Sequence, residues 1–188
     1  MRPLIVFNSI SLDGFFTDAK GDMSWAHAGA ADPEWAAFVA GNAQGGDTLL
    51  FGRVTYEMMA AWWPTPAAKQ AMPVVAGRMN AMRKVVASRT LRAPEWNNTS
   101  VLEGDLVAAV RALKEAPGGG IAIFGSGSLV PPLAQAGLID EFQFVVTPWA
   151  LGGGRTMFAG LPQRLRLELV RSRVFGNGNV FLGYRPVA

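Results

Sequence analysis

The sequence predicts an α/β fold of three layers, α/β/α, in which a mostly parallel sheet carries helices on both faces and ends in an antiparallel hairpin. Three observations predict it. Short apolar runs rich in β-branched residues alternate with helical segments up to residue 138. Only strand-like runs follow, and the last two flank Asn177-Gly178, a strong hairpin signal. No repeat, charged tail or linker divides the chain, so we expect a single domain over residues 1–188.

The predicted strands are short apolar runs bounded by turn residues. The first is compatible with burial on both faces, and the sixth alternates and then becomes continuously apolar, as a central strand does. In chain order the strands are Leu4–Ile10, Thr48–Phe51, Arg83–Ala87, Ser100–Leu102, Ile121–Phe124, Asp140–Pro148, Leu165–Val170 and Val180–Tyr184.

The predicted helices have recognisable ends. The first begins with Asp32 as N-cap and Pro33 at the first position. The second follows Gly52 and ends near Trp62-Trp63-Pro64, and residues 67–82 are predicted to be helical as well. An amphipathic helix over 105–116 stops at a run of three glycines, and a last helix follows the Gly-Ser-Gly-Ser turn at 125–128.

Composition excludes several classes of function. Half of the residues are hydrophobic and 16% are charged, which indicates a globular protein with a large interior. No apolar run reaches the roughly 18 residues of a membrane span, and Met1-Arg2-Pro3 does not begin a signal peptide, so we expect a cytoplasmic protein. The absence of cysteine and the single His27 argue against a metal site. The net charge is +3 and the arginines are scattered, which disfavours nucleic-acid binding.

Three predicted strands end in turns of one kind, namely Gly52-Arg53-x-Thr55, Ser88-Arg89-Thr90 and Gly125-Ser126-Gly127-Ser128. Ligands of open α/β sheets bind at the carboxyl ends of the strands, where helix amides and arginines hold phosphates. One extended anion would touch all three turns. We expect NADPH rather than NADH, because two turns carry arginines and no acidic residue follows the third at ribose-binding distance. The alternatives are that these turns only pack helices on a sheet and that both arginines are solvated surface charges.

These turns belong to a larger set of motifs that runs in order over nearly the whole chain. The set comprises Ser11-Leu12-Asp13-Gly14, Gly52-Arg53-Val54-Thr55-Tyr56-Glu57, Ser88-Arg89-Thr90, Gly125-Ser126-Gly127-Ser128-Leu129, Leu138-Ile139-Asp140-Glu141 and Leu151-Gly152-Gly153-Gly154-Arg155. Together the motifs resemble the dihydrofolate reductase superfamily, and more closely the branch with the C-terminal reductase domain of the bifunctional riboflavin-pathway enzyme and its standalone relatives. The resemblance implies a dihydrofolate-reductase-like fold, NADPH as hydride donor and a homodimer.

The resemblance also implies roles for individual residues. Arg53 and Thr55 match phosphate-contacting positions, Ser88 and Arg89 match the 2′-phosphate loop, and 125–129 match the pyrophosphate turn. The predicted cofactor contacts are Gly52, Arg53, Thr55, Ser88, Arg89, Thr90, Gly125, Ser126, Gly127, Ser128 and Leu129.

The candidate catalytic residues are acidic. Asp13 matches the segment that borders nicotinamide and substrate, although it can also be a turn aspartate. Asp32 and Glu34 lie about where dihydrofolate reductases carry an acid near the start of the first helix, and the N-cap role already explains Asp32.

The expected function is NADPH-dependent reduction of a small flat heterocycle, either pterin-like or 5-amino-6-(5-phosphoribosylamino)uracil-like. Phe15 and Phe16 stand where riboflavin-pathway reductases usually carry a basic residue, so a phosphoribosyl substrate would lose a charge partner. The alternative is a nucleotide-binding dimeric protein of the same fold without turnover.

Overall fold

The computed structural model describes residues 1–27, 32–42 and 46–187, and these residues form two compact units. The first unit contains Met1–Leu4 and the described part of Phe38–Ser126. The second contains the described parts of Ile5–Ala37 and Gly127–Ala188. Helix α1 (Pro33–Asn42) passes along the chain from the second unit into the first. The single domain over 1–188 stays a prediction.

The first unit is built on four parallel strands. These are β2 (Thr48–Gly52), β3 (Arg83–Ala87), β4 (Thr99–Leu102) and β5 (Ile121–Phe124), in the order β4-β3-β2-β5. Each neighbouring pair is parallel, as predicted. All five residues of β2 are buried, so this strand is covered on both faces.

Four helices accompany these strands: α2 (Arg53–Trp62), α3 (Pro66–Ala71), α4 (Pro73–Ala81) and α5 (Leu106–Glu115). The prediction that residues 67–82 are helical is largely confirmed, but the segment forms two helices that divide at Met72, which has φ −140° and ψ 66°. Pro73 has no N–H to donate and disfavours helical geometry in the residue before it, so it begins a new helix.

A buried cluster of apolar residues holds α2 and α4 to one face of the strands of the first unit. Its members are Leu49, Phe51, Tyr56, Val75, Met79, Met82, Val86 and Trp96. The alternate residues Leu49 and Phe51 of β2 contribute to it, which is the two-residue period of a strand.

The second unit contains β1 (Leu4–Ser11) from Ile5 onward, together with β6 (Glu141–Thr147), β7 (Leu167–Val174) and β8 (Val180–Pro186), in the order β1-β6-β8-β7. Strands β1 and β6 are parallel, whereas β8 is antiparallel to both β6 and β7. The unit also carries a short 3-10 helix (Ser24–His27) and α6 (Val130–Gln135). The mostly parallel α/β fold with an antiparallel C-terminal hairpin is thus confirmed, although β7 extends further than the predicted Leu165–Val170.

Candidate functional site

Segments that follow three strands of the first unit lie side by side at one edge of those strands. Gly52, the last residue of β2, is aligned with Ala87 at the end of β3, and Leu50 of β2 is aligned with Ile123 of β5. Because the three strands are parallel, the segments that follow them leave the same edge. The structure therefore brings together residues 52–55, 88–90 and 125–126 of the three predicted turns, all in the first unit, and we call this group the turn rim.

Helix α2 presents an open N-terminus at the turn rim. Its N-cap residue Gly52 has extended geometry and no side chain to bond the first amides of the helix. Arg53 is half-exposed and its Nη1 lies 2.9 Å and 3.0 Å from the carboxylate oxygens of Glu57 one turn later. An exposed ion pair of this kind contributes little to stability, so a phosphate can displace it or share it.

Ser126 joins the turn after β5 to the start of α2. Its hydroxyl accepts a hydrogen bond from the Gly52 amide at 2.9 Å and donates to the Phe124 carbonyl at 3.1 Å. Its amide donates to Thr55 Oγ1 at 3.0 Å. Ser126 is buried and its amide and hydroxyl protons are already used, so it shapes the rim without a free donor for a ligand. Its predicted contact with a cofactor stays a prediction.

The turn after β5 has a strained backbone. Gly125 and Ser126 are both left-handed, with φ of +58° and +55°. A Cβ at position 125 would lie 3.0 Å from Thr55 Cγ2, so glycine also permits close packing there. For serine the left-handed conformation costs about 1–3 kcal/mol, and such residues concentrate at functional sites.

The turn after β3 displays Arg89. Ser88 Oγ accepts hydrogen bonds from the amides of Thr90 and Leu91 at 3.2 Å and 3.0 Å, which closes a tight turn. Arg89 and Thr90 are exposed. Among the described residues the Arg89 guanidinium has no hydrogen-bond or ion-pair partner, which leaves it available to an anion.

Gly127, Ser128 and Leu129 belong to the second unit. A Cβ on Gly127 would lie 2.7 Å from Phe16 Cζ, so glycine is needed for this ring to pack. Helix α6 begins only at Val130, and its next two residues are prolines, which have no amide proton. The amides available for a pyrophosphate are therefore those of the turn rather than those inside the helix.

Asp13 fastens two segments of the second unit. Its carboxylate accepts hydrogen bonds from Ser11 Oγ at 2.6 Å, from the Leu151 amide at 3.0 Å and from the Gly152 amide at 2.7 Å. These bonds, the one from Ser11 first, lower the pKa of Asp13 to about 2. The carboxylate is thus ionised at neutral pH and holds no proton that it could give to a substrate.

Further backbone bonds join the same two segments. The Leu12 amide donates to the Trp149 carbonyl at 2.7 Å, and the Phe16 amide donates to the Arg155 carbonyl at 2.8 Å. The sequence showed the glycine-rich run at 151–154 but gave no sign that Leu151 and Gly152 bind Asp13.

The other two candidate acids have local partners. Asp32 caps α1, since its Oδ1 accepts a hydrogen bond from the Trp35 amide at 3.0 Å, which confirms the predicted N-cap. Glu34 forms an exposed ion pair with Arg173 at 2.6 Å. Among the described residues no contact joins either acid to Asp13, so their catalytic role stays a prediction.

Residues 1–27, 32–42 and 46–187 contain no group of three or more His, Cys, Asp or Glu side chains that could hold a metal ion. None of the helices in these ranges is long and apolar enough to cross a membrane.

Solved structures share this fold. A putative riboflavin biosynthesis protein from Shewanella sp. PV-4 superposes with a TM-score of 0.75 at 22% identity over 99% of both chains. The diaminohydroxyphosphoribosylaminopyrimidine deaminase/5-amino-6-(5-phosphoribosylamino)uracil reductase of Thermotoga maritima gives 0.70 at 18% identity, over 99% of this chain and 57% of that one. Dihydrofolate reductase from Enterococcus faecalis, complexed with NADP(H) and RAB-propyl, gives 0.66 at 16% identity over 99% and 97% of the chains.

At these identities the likeness shows the fold, and it confirms the expected dihydrofolate-reductase-like fold. The family itself follows from the sequence match. The model of the RibD C-terminal domain matches residues 2–181, nearly the whole chain, and the protein therefore belongs to the RibD C-terminal domain family.

Proposed function

We propose that this protein is an NADPH-dependent reductase that delivers hydride to a small, flat, conjugated heterocycle. Family membership supports the coarser statement, a reductase of the riboflavin-pathway or dihydrofolate reductase type. The observation that carries the finer one is the turn rim, where an open helix N-terminus and an unpaired arginine follow neighbouring parallel strands. The substrate class we propose is pterin-like or 5-amino-6-(5-phosphoribosylamino)uracil-like.

The donors of the turn rim suit the phosphates of NADPH. The first amides of α2 are uncapped, and Arg89 is exposed. Thr55 Oγ1 accepts one hydrogen bond, and among the described residues it donates none, so its proton remains for a ligand. When bound, the nicotinamide supplies the hydride, and the task of the protein is to hold and orient the cofactor. We assign Arg89 to the 2′-phosphate and the α2 N-terminus with Thr55 to a second phosphate.

Asp13 has a positioning role in this proposal. Its low pKa leaves it without a proton at neutral pH, and its three hydrogen bonds hold the Leu151-Gly152 segment against residues 11–13. We infer that water supplies the proton that completes the reduction, since a bound water can serve as the acid.

The second candidate is a nucleotide-binding dimeric protein of the same fold without turnover. One observation favours it: each of the three candidate acids, Asp13, Asp32 and Glu34, is bound to a neighbouring amide, hydroxyl or arginine. Such a protein would bind NADPH stoichiometrically and would not oxidise it with any pterin or pyrimidine.

The first experiment is titration of the purified protein with NADPH and with NADH, followed by calorimetry and by nicotinamide fluorescence. The proposal expects saturable binding that favours NADPH, followed by substrate-dependent loss of nicotinamide absorbance in a panel of pterins and pyrimidines. Selective binding without oxidation would support the second candidate, and no binding of either nucleotide would refute both.

A further inference from the structure

The first unit contains a buried polar network to which the proposed chemistry gives no role. At its centre is Trp96, in the segment that connects β3 to β4 and begins with Ser88-Arg89-Thr90. The Trp96 ring packs against Phe51 and Tyr56, with ring centroids 6.2 Å away in each case. Leu91, near the start of the same segment, packs against the same apolar cluster. The segment is therefore held by apolar contacts near both of its ends.

Trp96 is also bonded directly to the helix that begins at the turn rim. Its amide donates to the hydroxyl of Tyr56 at 3.1 Å. Tyr56 is 3% exposed and directly follows Thr55 in the first turns of α2. This bond joins the segment after β3, which carries Arg89, to the helix after β2, whose N-terminus lies at the turn rim.

Lys84 provides a second connection to the same segment. It lies on β3 with no exposed surface, and its Nζ donates to the Asn80 carbonyl at 2.8 Å and to the Asn97 carbonyl at 3.1 Å. The ammonium also lies 4.4 Å from the centre of the Trp96 ring. Asn80 is near the end of α4, where unpaired carbonyls favour a cation, and its Oδ1 accepts from Trp96 Nε1 at 2.8 Å.

We propose that Tyr56 and Lys84 are positioning residues that set the placement of Arg89 relative to the N-terminus of α2, and thereby the preference for a nucleotide with a 2′-phosphate. The inference rests on the proposed function. Neither side chain is assigned to the nucleotide, because both are buried beneath the rim. Their effect reaches the nucleotide through the turn that Ser88 closes, in which Arg89 and Thr90 are the exposed residues.

The test compares binding of NADPH and NADH to the full chain and to two variants, Tyr56→Phe and Lys84→Met. Tyr56→Phe keeps the ring and removes the hydroxyl that Trp96 uses, whereas Lys84→Met keeps the length of the chain and removes the ammonium. We expect NADPH affinity to fall about tenfold in each variant and NADH affinity to change less than about twofold. Hydrogen exchange at the amides of Thr90 and Leu91 should be faster in both variants than in the wild type. The binding and exchange measurements are made on variants that are shown to be folded.

Val110→Ala is the matched control, since Val110 is fully buried on α5 and makes none of the contacts of the network. It should lower stability and leave the ratio of the two affinities unchanged. If the wild type prefers NADPH and both Tyr56→Phe and Lys84→Met keep its ratio of NADPH to NADH affinity, this inference is overturned and the proposed function stands. A wild type that binds neither nucleotide would overturn both.

Discussion

The hydrogen bonds of the Ser126 side chain stabilise a strained backbone conformation. A glycine would adopt φ +55° without strain, but it would leave the Gly52 amide without the serine hydroxyl that it now binds. The serine accepts a conformational cost of about 1–3 kcal/mol and ties two turns of the rim together. The sequence showed a Gly-Ser-Gly-Ser turn but could not show this, because the partners Gly52 and Thr55 lie more than seventy positions earlier.

Arg89 offers the most direct test at the residue scale. We expect Arg89→Ala to reduce the preference for NADPH over NADH by on the order of 1–3 kcal/mol, because a charge-assisted contact to the 2′-phosphate would be lost. The measurement is the ratio of the two dissociation constants. Arg111→Ala, which removes an exposed arginine from α5, is the control and should leave the ratio unchanged. If Arg89→Ala and Arg111→Ala have the same ratio of the two dissociation constants, the assignment of Arg89 to the 2′-phosphate is wrong.

Lys84 makes stability depend on pH. Burial lowers the pKa of Lys84 to about 8 from its ordinary value of 10.5, so the folded state holds this proton less tightly than the unfolded state. The penalty for burying the charge is fully present below the lower value and is relieved as the pH rises. We therefore expect the free energy of unfolding contributed by Lys84 to increase from about pH 8 to about pH 10.

Urea unfolding of the wild type and of Lys84→Met over this pH range measures the effect. The free energy of unfolding of the wild type, relative to that of Lys84→Met, should increase as the pH rises. A constant difference would show that Lys84 titrates near its ordinary pKa. The sequence gave one signal for this residue, a lysine inside the apolar run Arg83–Ala87, but its partners Asn80 and Asn97 become neighbours only in the fold.

At the scale of elements, features that depend on residues close in sequence are easier to predict than hydrogen bonds between distant loops. The apolar runs, the Asn177-Gly178 turn and the Asp32 cap depend on residues close in sequence, and the structure confirms them. The division at Met72 also depends on a residue close in sequence, because Pro73 begins a new helix there. The hydrogen bonds from Leu151 and Gly152 to the Asp13 carboxylate could not be predicted, because these residues lie 138 and 139 positions from Asp13.

The hydrogen bonds to the Asp13 carboxylate should stabilise the protein only at pH values at which the carboxylate is ionised. The folded pKa of Asp13, about 2, lies below the ordinary value of 3.8, so its contribution is present above the higher value and disappears as the pH falls through the lower one. We expect Asp13→Asn to unfold at lower urea concentration than the wild type at neutral pH, and this difference to shrink between about pH 4 and about pH 2.

Hydrogen exchange provides the local readout for the same substitution. The amides of Leu151 and Gly152 donate to the carboxylate and should exchange faster in Asp13→Asn. Asp18→Asn is a control in the same unit, because it alters a carboxylate that binds only within its own turn. Faster exchange in the control alone, or a difference in stability that is independent of pH, would contradict the role given to Asp13.

At the scale of the whole molecule, the homodimer stays a prediction, and β7 is where we expect the second copy to bind. This strand is the last in the order of the second unit, and seven of its eight residues are exposed. Leu169 and Val174 are 49% and 71% exposed. A strand edge that exposes apolar side chains and unpaired backbone groups favours association with another chain.

Sedimentation velocity tests the dimer. The wild type should sediment as a dimer and Val174→Lys as a monomer, because a lysine at this position would place a charge in the interface. Val74→Lys is the control, since Val74 is 49% exposed on α4 in the first unit. A monomeric wild type would contradict the prediction, and dissociation by Val74→Lys alone would move the interface to the first unit.

The way the chain is shared between the two units has a consequence for synthesis on the ribosome. Apart from four N-terminal residues, the first unit uses a single stretch that is finished at Ser126, and all its strand pairs lie within that stretch. Strand β1 is made before the strands of the first unit, yet its partner β6 begins only at Glu141. The turns that carry Arg53 and Arg89 can thus form during translation before β1 has its partner β6.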